Sequence, residues 1–363
     1  MECEIQYIAL YDLGEDLTYE EIEDKLAEVS QDDMVEYELE EEKGAPDYVN
    51  YPEPVIFQAT PDFRWQDKTH KVKGKIFRSG ELSLNVKIEL EIDNLSELNQ
   101  YLQQNSSLKQ EVKHHCNEIY RQISSEFLVD VARSEHYKTG YSEIYPVYCI
   151  NGTEYEDAAE FVQNNENKIT ALLTGRYQEE NFSREEIDSV KSNTVRFFNT
   201  DCSIIHWNGS LLIDQRAEFS AIIYIMELVN KQFLTLKLYD RYIDNYLSDF
   251  MENVDKLLKM KILLHLPGLK NSISELTRIR VDIEKVTEML DNYEKYLGKW
   301  YLARIYAQAC EAFEINRWRN LLESRLDKVT EFYSMMEEEI NRNRMLFLNV
   351  LTLMLFILWF VIG

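Results

Sequence analysis

Apolar and polar positions repeat with two different periods along this chain, and the change between them divides it. Leu82, Leu84, Val86, Ile88, Leu90 and Ile92 alternate with polar residues, the period-two pattern of a half-buried strand. Residues 72–77 precede them across Arg78-Ser79-Gly80-Glu81, so the two runs predict a hairpin. Residues 4–13, 34–39, 55–59, 63–65 and 144–150 have the same strand character. Residues 202–214, reading CSIIHWNGSLLID, predict a second hairpin in which Asn208-Gly209 favours a type I′ turn. Between these runs the period becomes helical. Leu17, Ile22, Leu26 and Val29 share a face behind the N-cap candidate Thr18, and Asn94 caps a helical pattern running to 127. Thr153 with Glu156 and Ser183 with Glu186 have capping-box spacing, while Gly44, Pro46, Pro52 and Pro54 mark residues 42–54 as loop. Residues 1–214 therefore predict a mixed α+β or α/β head.

From residue 217 the strand pattern stops. Ile222, Met226, Val229, Phe233, Leu236, Asp240 and Ile243 begin a seam spaced alternately by four and three residues, which continues to Leu264. Asp240 and Lys261 are its polar members and either set register or snorkel to the edge. A second seam runs from Leu276 to Trp300 and a third from Leu322 to Ile340. Together they predict a helical, coiled-coil-like stalk over 215–344, turning at Pro267-Gly268. The third seam runs without a breaker into residues 345–363, MLFLNVLTLMLFILWFVIG, interrupted only by Asn349 and Thr352. At about 1.5 Å per residue this run spans roughly 28 Å, the thickness of a bilayer's hydrocarbon core. Arg342 and Arg344 flank it on the side that basic residues keep cytoplasmic. The expectation is a helix unbroken from about Tyr301 that ends as one C-terminal transmembrane segment, the lipid bilayer being its first partner. Asn349 and Thr352 are then candidates for helix–helix or pore contacts.

Charge narrows the partners. The 363 residues carry a formal net charge of −26, and residues 1–42 hold seventeen acidic side chains against Lys25 alone. That balance repels nucleic acid and anionic lipid. Arg64, Lys68, Lys71, Lys73, Lys75 and Arg78 make one basic hairpin, but no aromatic residues interleave with them as nucleic-acid binding would favour. The five cysteines are far apart and odd in number, which suits a reducing compartment better than a disulfide framework. No basic, then apolar leader opens the sequence. The expected location is a single-pass membrane protein with its bulk on the cytoplasmic side.

Catalytic signals are sparse. There is no glycine-rich phosphate loop, HExxH, GxSxG or paired CxxC, and no cofactor or metal-ligand set is identified. His114-His115-Cys116 lie on one helical stretch, where neighbours point about 100° apart and share a metal poorly. His206-Trp207, just before the Asn-Gly pair, is the candidate site in the head, with a structural hydrogen-bonded pair as the simpler reading. Glu314, Arg317 and Arg325 fall on roughly one helical face and are candidates for ion pairs across the stalk, near Glu323 and Asp327.

Phe313-Glu314-Ile315, Arg317 and Arg325-Leu326-Asp327, following the 202–214 hairpin and the long helix, resemble the C-terminal half of the YagE-type family associated with meiotic nuclear division. That resemblance implies membrane attachment and assembly. The plan of head, long helix and membrane helix is also similar to CorA-type magnesium transporters, although the Gly-Met-Asn motif and second membrane helix of that family are missing. The leading expectation is a membrane-anchored binding or assembly protein without evident catalytic chemistry, self-associating or engaging a protein through its stalk. An oligomeric CorA-like cation channel is the alternative, and an enzyme using a pocket near His206 is a third.

Overall fold

The computed structural model describes residues 1–13, 17–30, 35–36, 54–127, 142–151, 155–178, 181–260, 280–281, 284 and 300–362. They fall into two compact units: Met1–Thr235 with Asp291–Asn316, and Leu236–Leu290 with Arg317–Gly363.

The first unit is built on a nine-stranded sheet. Its strands are β1 (Glu2–Asp12), β2 (Val35–Glu36), β3 (Val55–Trp65), β4 (Lys68–Ile76), β5 (Glu81–Glu91), β6 (Glu143–Asn151), β7 (Thr194–Val195), β8 (Asp201–His206) and β9 (Gly209–Asp214). Their spatial order is β2-β3-β4-β5-β1-β6-β9-β8-β7. Every pairing is antiparallel except β6 with β9, which runs parallel from Val147↔Ser210 to Ile150↔Ile213. Strand β1 is central, and its run Tyr7 to Tyr11 is buried on both faces. Residues 55–59 and 63–65, expected as two strands, form one strand bent by a register shift between Ala59 and Phe63, where Thr60-Pro61 is cis.

The helices of this unit are α1 (Tyr19–Ser30), α2 (Leu95–Gln104), α3 (Leu108–Phe127), α4 (Ala158–Asn164), α5 (Glu166–Thr174) and α6 (Arg184–Lys191). Long helix α7 (Ser220–Met260), α8 (Trp300–Ala312) and α9 (Ile315–Ile362) follow. One face of the sheet, carrying Ile5, Tyr7, Leu84, Val86 and Ile204, forms a continuous core with α1 to α6. Burial of each such side chain contributes about 1.5–3 kcal/mol. Caps start these helices as their sequences require. The Thr18 hydroxyl accepts from Glu21 N, and the Glu21 carboxylate accepts from Thr18 N at 2.7 Å. Asn94 and Ser183 cap α2 and α6, whereas α4 is capped by Asp157. Thr153 of the expected capping box lies outside the described residues.

The type I′ turn falls elsewhere than expected. Gln66 and Asp67, between β3 and β4, both have positive φ, 46° and 60°, as that turn demands. Between β8 and β9 the two loop residues are Trp207 and Asn208, since His206 pairs with Gly209. Gly209 serves a different need: a Cβ there would meet the Pro146 carbonyl oxygen at 3.2 Å.

The opposite face of the sheet receives the first turns of α7, and a buried ionic network fastens them. Glu227, fully buried, accepts from Lys75 Nζ at 2.8 Å and from Ser83 Oγ at 2.6 Å; Lys75 and Ser83 are cross-strand partners. One turn on, Lys231 Nζ donates to Ser79 Oγ at 2.9 Å, with Glu81 3.6 Å away, and stands 4.8 Å from the centre of the Phe77 ring. Glu227 and Lys231 lie four residues apart on one helical face, so two buried charges of opposite sign meet two on the hairpin. Lys75 of the basic hairpin is thus neutralised by α7.

In the second unit, seam residues Leu236 and Ile243 of α7 and Leu322, Leu326 and Val329 of α9 are buried. Asp240 is paired by Arg325, whose guanidinium also lies 3.1 Å from Asp244. Arg280 pairs with Asp327. The turn at Pro267-Gly268 lies outside the described residues.

Two expectations about the C-terminal region are corrected. The helix is not unbroken from Tyr301: Glu314 takes φ 51° and its N–H turns back to the Glu311 carbonyl, which ends α8 and starts α9 anew. Nor is a C-terminal transmembrane helix found. Residues 345–362 are the end of the 48-residue helix α9, whose preceding turns are densely charged, and among the described residues no helix is long and apolar enough to cross a membrane. The expectations of a tail anchor and of a single-pass location are corrected with it. In that run the side chains described are those of Met345, Leu348, Asn349, Val350, Thr352 and Leu353, all exposed. Thr352 Oγ1 donates to the Leu348 carbonyl within its own helix. Arg342 is exposed, and Arg344 is helical.

Candidate binding cleft

The described residues of the first unit enclose a cleft of about 410 Å³ where the β8–β9 hairpin meets the starts of α7 and α8. Its walls come from three separate parts of the chain. The loop after β7 gives Phe197 and Phe198, the β9–α7 turn gives Arg216, Glu218 and Phe219, and α8 gives Trp300 and Tyr301. Leu212 and Ile222 form the apolar interior. Phe197, Phe198 and Trp300 are 52%, 46% and 67% exposed, a large aromatic area left in water.

Two carboxylates organise this rim. Asp201 and Asp214 are directly opposed at the open end of the hairpin, a placement in which like charges repel. Each is offset by two backbone N–H donors. Asp201 accepts from Phe197 N at 2.8 Å and Phe198 N at 2.9 Å; Asp214 accepts from Arg216 N at 3.0 Å and Glu218 N at 3.1 Å. The first pair of bonds holds the two phenylalanines at the mouth, edge to face with centroids 4.6 Å apart. The second, with Ala217 at φ 57°, bends the chain from β9 into α7. Arg216 then lies over Phe198, its Cζ 4.4 Å from the ring centre. On the other side Tyr301 packs on Phe197 at 5.2 Å, and burial pushes its hydroxyl up to about 12, with nearby Ser203 opposing in part.

Among the described residues the lining includes no cysteine, histidine or lysine. The hydroxyls among those lining residues are Ser203 and Tyr301. The arrangement is suited to holding a large apolar group.

The residues singled out by sequence lie apart from it. His206 Nδ1 is 3.1 Å from the Leu173 carbonyl, and the Tyr145 hydroxyl donates to the His206 carbonyl at 2.7 Å. Burial lowers the His206 pKa, the Leu173 bond opposing in part. This histidine ties the hairpin to the end of α5, while Trp207 is 66% exposed at the hairpin tip. Glu314 is exposed in the break before α9 and Arg317 is exposed in its first turn; of that trio Arg325 makes the ion pair with α7. His114 lies 3.4 Å from Glu118, His115 contacts the Pro61 carbonyl, and Cys116 is buried, its thiol pushed up to about 12 by desolvation. Among the described residues no group of three or more His, Cys, Asp or Glu is placed to hold a metal ion. Trp300, assigned by spacing to the second seam, is instead a rim residue of the cleft. One sequence signal pointed there: adjacent phenylalanines in the polar stretch Arg196-Phe-Phe-Asn-Thr, where no strand or helix can bury both.

Residues 2–220 match the family model described as "Uncharacterized protein MJ0711, N-terminal domain". The chain belongs to this family. The matched span contains the whole nine-stranded sheet and stops at the first residue of α7, so Ile222, Trp300 and Tyr301 complete the cleft from outside the family domain. A similar protein is the uncharacterized protein MJ0711 of Methanocaldococcus jannaschii, 23% identical over 199 residues, covering 54% of this chain. The match spans 58% of that relative's length. No solved structure matches. These matches correct the resemblances to the YagE-type family and to CorA-type transporters: the first rested on short motifs in the C-terminal half and the second on the overall plan, whereas the family match lies in the head.

Proposed function

We propose that this protein is a binding module that takes a large apolar or aromatic side chain of a protein partner into the cleft of the first unit. The observation that carries this reading is the ring of three exposed aromatics, Phe197, Phe198 and Trp300, around an interior of about 410 Å³. Cavities of this size and apolar lining suit small ligands or single anchoring side chains, and aromatic residues dominate such anchor sites. The rim is held by hydrogen bonds that Asp201 accepts, so little conformational freedom is lost on binding. The lining supports binding over catalysis, because Asp201 and Asp214 are already engaged by backbone donors and, among the described lining residues, no base is hydrogen-bonded to a nucleophile.

The test is selection of random displayed peptides on the full-length protein, with the same selection on a Phe198→Ser/Trp300→Ser variant. Enrichment of peptides sharing one aromatic or large aliphatic position, lost on the double variant, is the expected result. Enriched peptides that bind the variant equally well overturn the assignment to this cleft.

A further inference from the structure

The cleft also contains a cation whose hydrogen-bonding edge is unspent. Arg216 is exposed, and its guanidinium lies over the Phe198 ring with Cζ 4.4 Å from the ring centre. Attraction to the ring spends no hydrogen-bond acceptor on the guanidinium, whose N–H groups form the fork that matches a carboxylate bidentately. Among the described residues no carboxylate lies within ion-pair distance of that guanidinium. The two nearest candidates in the wall, Asp201 and Asp214, have their oxygens turned to backbone N–H groups. The remaining lining carboxylate, Glu218, is exposed and well hydrated.

We infer that the cleft selects an acidic peptide segment in which an Asp or Glu adjoins the inserted aromatic or large apolar residue, Arg216 binding the carboxylate while Phe197, Phe198 and Trp300 enclose the apolar group. This inference rests on the binding reading above and specifies its ligand. Charge complementarity at short range chooses the occupant: among the described lining residues the one cation, Arg216, has no carboxylate at ion-pair distance, whereas Asp201 and Asp214 are engaged by backbone donors and Glu218 is exposed to solvent. The chain's own net charge of −26 works against any anion at long range, so a preference for an acid over its neutral analogue has to come from the local contact.

The test compares 3-phenylpropanoate with 3-phenylpropanamide, which differ by one charge on the same apolar body, by saturation-transfer NMR titration of the full-length protein at about 150 mM salt. The acid is expected to bind about tenfold more tightly, the increment of a charge-assisted bidentate contact. Arg216→Gln keeps the backbone N–H that Asp214 accepts and should reduce the acid-over-amide preference, read as the ratio of the two affinities, to near unity. Equal binding of acid and amide to the unaltered protein overturns the inference and leaves the binding reading intact. A preference that survives Arg216→Gln overturns the assignment to this residue. Failure of both compounds to bind overturns the cleft reading together with the inference.

Discussion

Replacing Glu227 by leucine tests how α7 is held to the sheet. The carboxylate is fully buried and accepts from the Lys75 ammonium at 2.8 Å and the Ser83 hydroxyl at 2.6 Å. Leucine removes both acceptors and strips Lys75, itself 6% exposed, of this counter-charge. Breaking one side of a buried ion pair costs about 3–5 kcal/mol. A buried hydroxyl that loses its acceptor adds about 1 kcal/mol. The sum, about 4–6 kcal/mol, is a large part of the total stability of an ordinary domain. Lys75→Met combined with Glu227→Leu should recover most of that loss, because removing both charges of a buried pair is often near neutral. Since the chain has two compact units, the measurement should be local: native-state hydrogen exchange of the amides of β4, β5 and the first turns of α7, under conditions of rapid opening and closing. A loss below about 1 kcal/mol for Glu227→Leu, or a double variant no better than the single ones, would refute the reasoning.

Three further outcomes follow from named contacts. Gly74→Ala would place a Cβ 2.2 Å from the buried Phe57 ring and should destabilise the first unit by about 1–3 kcal/mol in urea titrations. Asp201→Ala removes the acceptor of two rim N–H groups; about 1–2 kcal/mol should be lost, and apolar ligand binding should weaken more than in Asp201→Asn, which keeps one acceptor oxygen. The buried His206 has a folded-state pKa below its ordinary value of 6.5, so the unfolded chain binds the proton more readily. Its neutral form therefore contributes stability that is present above pH 6.5 and lost as pH falls through the folded value. The difference in unfolding free energy between the unaltered protein and His206→Gln should shrink between pH 7.5 and pH 5, and a difference constant over that range would contradict the assignment.

The head was legible where local chemistry determines structure. The alternation from Leu82 to Ile92, the 202–214 hairpin and the Thr18, Asn94 and Ser183 caps all appear as read. Displacements came from competing physics. Gln66-Asp67 adopts the left-handed turn without a glycine, while Gly209, beside the stronger turn signal, is reserved for close approach to Pro146. The cleft was not legible, because Phe198, Arg216 and Trp300 are brought together by the sheet and share no local pattern. Heptad spacing placed Trp300 in a seam, and spacing alone cannot tell a buried stripe from a rim. The Lys75–Glu227 pair was hidden for the same reason, a strand lysine and a helix glutamate 152 positions apart. The terminal apolar run was judged by its own composition; it forms the end of helix α9, and among the described residues no helix is long and apolar enough to cross a membrane.

The single parallel pairing, β6 with β9, has a kinetic consequence. On one side of that joint β3, β4 and β5 connect through tight hairpins; on the other, β8 and β9 do the same. Both patches can close rapidly through nearby partners, but β9 meets β6 only by closing the chain between Val147 and Ser210, and β6 meets β1 by closing a longer one between Glu2 and Asn151. These long-range joints should therefore form after the hairpins, with weakening at Val147 or Leu211 speeding unfolding more than it slows folding. Before the parallel joint forms, an incompletely assembled chain would expose two unsatisfied strand edges, at β6 and at β9, to other molecules.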